Sequence, residues 1–239
     1  MARRLQIPVR GLGSEVDTPS VADLAAWAKT RAGIGGDVTT FHLMKTIEVQ
    51  KGVDLPAAGG WYYRDRMAEG IVPDAPMDEI LGDIRAVSSI QRNCWWSLPS
   101  TGSADEDEVL AFRQLLRTMR DEGVYGHILL SDTEPTPIER ELITGRRVFW
   151  YLAKPTERSL EKVLEIQRDI AVRPELLPLL EELMGSYTVR NVIVIEPGEG
   201  DLRRAIDLVD SDNIMTGGFA PSGDASYWED LVSGSFLLR

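Results

Sequence analysis

Val189-Arg190-Asn191-Val192-Ile193-Val194-Ile195 is the most continuous apolar run in the chain. Its length suits a strand, and the lack of polar alternation after Arg190 predicts a strand covered on both faces. Working outward, His127-Ile128-Leu129-Leu130-Ser131 and Arg147-Val148-Phe149-Trp150-Tyr151-Leu152 read the same way, as do 94–98 and, more briefly, 213–216. Helical spacings separate them. Val109, Phe112, Leu115, Leu116 and Met119 form one apolar face behind the acidic start Asp105-Glu106-Asp107-Glu108, which suits the positive end of a helix dipole. Further helices are expected at 137–143, 156–170, 174–184, 201–209 and 225–232. The alternation predicts an α/β fold, a doubly wound Rossmann-like domain over 93–239. Its sheet would be mostly parallel, with helices on both faces.

The preceding residues have another texture. Leu5, Ile7 and Val9 alternate as in a half-buried strand, and Pro8, which lacks an N–H, confines that strand to an edge. Ser20 and Asp37 are N-cap candidates for helices carrying Val21, Leu24 and Ala28, and Val38, Phe41, Met44 and Ile47. Residues 55–60 read as a loop and 76–92 as a helix. Residues 1–92 are therefore expected to form a mainly helical N-terminal portion with one edge strand.

Among 239 residues, 26 are basic and 38 acidic, a formal charge of -12. The excess lies after position 92, where 15 basic residues face 26 acidic ones, against 11 and 12 before it. Such a surface repels phosphate backbones, so no nucleic-acid partner is expected. Cys94 is the one cysteine, which precludes an intrachain disulfide and a cysteine-built zinc site. Apolar runs fall short of the roughly 18 residues a membrane helix needs. The stretch after Arg3 and Arg4 is too short and polar for a signal core. A soluble, cytoplasmic chain is expected.

In open parallel sheets, ligands bind beyond the carboxyl ends of the strands. That rule selects Asp132 and Lys154 as candidate catalytic groups, and Asp132 with Glu196 as oxygen ligands for a hard cation such as magnesium. Gly198 and Gly200, ahead of a helix, and Gly217 with Gly218, at the expected end of a strand, would offer backbone N–H groups to an anion. The expected ligand is small and anionic or phosphorylated, and the chemistry a metal-assisted hydrolysis or group transfer. The alternative is a non-enzymatic interaction module whose aromatic segments at Trp61, Trp95 and Trp150 bury against a partner or a second copy of the chain.

Two partial resemblances accompany this reading. Leu129-Leu130-Ser131-Asp132-Thr133-Glu134-Pro135-Thr136 resembles the first motif of haloacid-dehalogenase-type phosphatases, which implies a phosphoryl-accepting role for Asp132. The chain departs from it at Glu134, where a second Asp is usual, and at Arg173, where Lys is usual. Gly217-Gly218 is similar to the last motif of cobalamin-binding domains, but His127 lacks that family's flanking Asp and Gly.

Overall fold

The computed structural model describes residues 4–15, 18–31, 35–64, 66–67, 77–145, 147–198, 200–221 and 223–238. Near the chain ends, β1 (Arg4–Gln6) pairs antiparallel with β10 (Phe236–Leu238). Between them run eight strands: β2 (Val9–Glu15), β3 (Ala57–Gly59), β4 (Trp95–Pro99), β5 (Gly126–Ser131), β6 (Val148–Leu152), β7 (Asp169–Val172), β8 (Asn191–Ile195) and β9 (Ile214–Pro221). Every pairing among these eight is parallel, in two runs of four ordered β3-β4-β5-β6 and β7-β8-β9-β2.

The two runs meet at two seams. At the first, Gly11 N–H donates to the Leu55 carbonyl (2.9 Å) and Leu55 N–H to that of Val9 (3.1 Å), with a further bridge from Ser14 to Gly60. Gln50 completes the seam: its side-chain amide donates to the Ala57 carbonyl (2.8 Å) and accepts from Ala57 N–H (3.0 Å). Gly11 has no Cβ because that atom would collide with the Gln50 amide oxygen. At the second seam, the Gln167 amide accepts from Trp150 N–H (2.7 Å) and donates to the carbonyls of Trp150 (3.0 Å) and Asp169 (2.7 Å), joining β6 to β7. The eight strands therefore close into a ring.

Packing confirms the closure. One buried cluster unites Leu12, Ala57, Trp95, Ile128, Phe149, Ala171 and Ile193 with Met215, so every strand of the ring contributes to a single interior. Residues of opposite parity, such as Trp96, Leu129, Trp150, Val172, Val194 and Ile214, pack outward with helix residues including Phe112, Leu116, Leu160 and Leu180. The α/β expectation stands, but the sheet is not open with helices on both faces. One face lines a barrel interior, and the helices cover the other. Both arrangements bury both faces of each strand, which is why apolar runs alone do not separate them.

Residues 1–92 contribute β2 and β3 to this ring, and the outer core runs continuously across position 92. The N-terminal portion begins with strands rather than helices, and β2 is no edge strand, being flanked by β9 and β3. The Pro8 carbonyl accepts from Thr216 N–H at 2.9 Å, just ahead of β2. Helices start where the sequence signals placed them. Ser20 and Asp37 cap α1 (Val21–Thr30) and α2 (Val38–Val49). Thr136 with Glu139, and Thr156 with Ser159, form reciprocal capping boxes. Among the described residues, no helix is long and apolar enough to cross a membrane.

Candidate functional site

Parallel closure delivers all eight carboxyl ends to one rim. A cavity of about 590 Å³ opens there, lined by Glu15 at the end of β2 and by Trp61, Tyr62 and Arg64 after β3. Asp132 follows β5. Tyr151, Ala153 and Lys154 come from β6 and its exit, Arg173 from the residue after β7, and Phe219 from β9. At the opposite end of the interior, the buried Arg10 guanidinium lies over the rings of Trp95 (4.3 Å) and Phe149 (4.4 Å). Burial pulls its pKa down to about 10, so it stays cationic at neutral pH.

The most constrained part of the mouth is a relay ending on Arg173. Its Nη1 donates to Glu196 Oε2 at 2.7 Å. The other carboxylate oxygen, Oε1, accepts from the Tyr227 hydroxyl at 2.8 Å, and that hydroxyl accepts in turn from Phe219 N–H at 3.0 Å. The bond to Glu196 holds the Arg173 pKa above its ordinary value. Burial, then the bond to Glu196, does the same for the Tyr227 phenol. Glu196 adopts φ +48°, a left-handed conformation shared by one other non-glycine residue, Asn93, among those described. Such backbone is costly for a side-chain-bearing residue and recurs at ligand sites.

Tyr151 stands beside this relay. Its ring approaches that of Phe219 at 6.1 Å, and its hydroxyl makes no hydrogen bond to another described residue. Burial pushes its pKa up to about 12, so it remains a hydrogen-bond donor at neutral pH. Across the mouth, Lys154 Nζ lies 3.1 Å from Asp132 Oδ2. Both groups are at least half exposed, so solvent screens the pair and its contribution to stability is small. Arg64 stacks over Trp61 at 5.4 Å.

Asp132 and Lys154, read from the sequence as catalytic, thus meet on the cavity wall. The remaining assignments fare differently. Asp132 follows β5 and Glu196 follows β8, three strands apart around the ring, and each carboxylate is engaged by its own cation. No group of three metal-ligating side chains forms among the described residues. Gly217 and Gly218 lie within β9, not beyond it. A Cβ on Gly217 would press on the side chain of Ile193, and one on Gly218 on Leu231 and Trp228, so both glycines serve packing.

Gly198 N–H is already taken by Asp201 Oδ2 at 2.7 Å, and Gly200 is the left-handed residue before the helix Asp201–Leu208. Both glycines line a separate cleft with Phe236 and Leu237. Trp95 and Trp150, expected as contact surfaces, are buried; Trp61 lines the mouth. Arg173, Tyr151, Phe219 and Glu15 join this lining without being selected by the sequence reading. The sequence signal for Arg173 is slight: Ile170-Ala171-Val172 is a three-residue apolar run, too short to show a period, followed by a cation.

No protein-family model matches the chain, and no curated protein matches it. Among solved structures, a protein assigned to the dihydrodipicolinate synthase family of Coccidioides immitis is similar, with 10% identity and a TM-score of 0.40. The match covers 89% of this chain but 60% of that one, so the chain spans well under the full length of that protein. A likeness this distant says nothing of function.

Proposed function

We propose that the barrel mouth binds a small anionic molecule, with Arg173 as its anchor. The observation that carries this reading is the relay from Phe219 through Tyr227 and Glu196, which fixes the guanidinium before any ligand arrives. One Arg173 nitrogen meets Glu196, and the guanidinium has further N–H donors for a carboxylate or phosphate. Tyr151 adds a neutral donor, and Lys154 and Arg64 add positive charge on the flanking walls. Active sites of parallel α/β barrels are built from the loops at this face. Within this reading Asp132 and Lys154 are the groups placed to exchange protons with a bound substrate.

The test is calorimetric titration of inorganic phosphate and of acetate into the wild-type chain and into Arg173→Met. Saturable binding of either anion that weakens at least tenfold in Arg173→Met supports the proposal. Equal binding by both proteins, or none by the wild type, rejects it.

A further inference from the structure

Resting on the anion reading, the lining of the mouth allows its ligand class to be narrowed: we infer that the ligand is a planar ring bearing a single negative charge. Two observations select this class, one from charge and one from shape.

Charge comes first. Arg64, Lys154 and Arg173 face Glu15 and Asp132 across the same cavity, a surplus of one positive charge among its lining residues. Part of the Arg173 charge is already answered by Glu196, and part of the Lys154 charge by Asp132. A nucleoside triphosphate or a bisphosphate would bring more negative charge than this wall neutralises, and Glu15 and Asp132 would repel the excess. With Glu196 set against Arg173, three cations and three carboxylates balance, so among anions a monoanion brings the least unanswered charge.

Shape supplies the rest. Trp61, Tyr62, Tyr151 and Phe219 form much of the lining, far more aromatic surface than a bare oxyanion needs. Tyr151 and Phe219 are tilted by 48° at 6.1 Å, while Trp61 stands with Arg64 at its face. A ring seated among these side chains would gain face and edge contacts, with its anionic group directed at Arg173 and the Tyr151 hydroxyl. The volume, about 590 Å³, is that of a site for a small organic molecule.

The experiment compares benzoate, cyclohexanecarboxylate and acetate by calorimetry on the full chain at pH 7, beside inorganic phosphate. Benzoate is expected to bind at least tenfold more tightly than both other carboxylates, and Trp61→Leu or Phe219→Leu should shrink that advantage. Two folded substitutions guard against one of them failing to fold. A benzoate advantage below tenfold over either carboxylate, or one retained in the folded variants, overturns the inference. If phosphate or acetate binds through Arg173 while benzoate gains nothing, only the ring assignment falls. If no anion binds, the anion reading falls with it.

Discussion

The side-chain amide of Gln167 pairs with both backbone groups of Trp150, at 2.7 and 3.0 Å, as a neighbouring strand would. Gln50 does the same for Ala57 at the other seam. Two glutamines thus complete the ring where the strands between the two halves do not form a full ladder. Substituting Gln167 by Ala strands buried backbone donors and acceptors on Trp150. The expected loss is about 1–3 kcal/mol. Urea unfolding of Gln167→Ala should show a lower midpoint, and an unchanged midpoint would mean the seam is closed by other contacts.

These seams also mark where the sequence misleads. β3 has three residues and β7 four; the sequence reads the first as loop and the second as the tail of a helix over 156–170. Neither strand has the length to show a period, and each takes part of its edge bonding from a glutamine side chain that lies outside any strand. The longer strands β4, β5, β6 and β8 were legible because both their faces are buried. Without β3 and β7 the count falls short of eight, and an open sheet is the natural reading. The rim residues suffer accordingly: Asp132 and Lys154 follow legible strands, whereas Arg173 follows an illegible one. β9 runs to Pro221, whereas the apolar pattern in the sequence stops at Thr216 and places Gly217 and Gly218 at a strand end.

His127 gives a pH prediction. It is fully buried on the outer face of β5, and burial, with the charge of Arg120, lowers its pKa to about 3. Between an unfolded value near 6.5 and that folded value, the unfolded chain binds a proton that the folded chain does not. Stability is therefore complete above about pH 6.5 and lost as pH falls toward 3, with a slope of up to about 1.4 kcal/mol per pH unit. His127→Leu should be less sensitive to acid between pH 6 and pH 5 in denaturant titrations. An identical slope in both proteins would show that His127 does not carry this dependence.

Tyr227 tests the relay without touching the lining. Tyr227→Phe removes the hydroxyl that donates to Glu196 and accepts from Phe219 N–H, while the ring packing against Trp228 at 5.2 Å can persist. Anion affinity should fall threefold to tenfold, less than in Arg173→Met, with the change lying mainly in affinity and not in thermal stability. Wild-type affinity in a folded Tyr227→Phe protein would mean that Arg173 is positioned by Glu196 alone.

Gly217 separates packing from binding. Gly217→Val would drive side-chain atoms into Ile193 and Leu12 in the barrel interior and should destabilise the protein by about 1–3 kcal/mol. Gly200→Ala meets open space and is strained only by φ +96°, so its cost should be about 1 kcal/mol. Reversal of that order in thermal unfolding would mean that the Gly217 position is not held by packing against Ile193 and Leu12.

The most direct measurement is a crystal structure of the chain grown with inorganic phosphate, read for where the anion settles. Density within hydrogen-bond distance of the Arg173 guanidinium, inside a closed eight-stranded ring, is the expected result. An ordered anion at the turn of Gly198 and Gly200 with nothing against Arg173, or strands that leave the ring open, would contradict it.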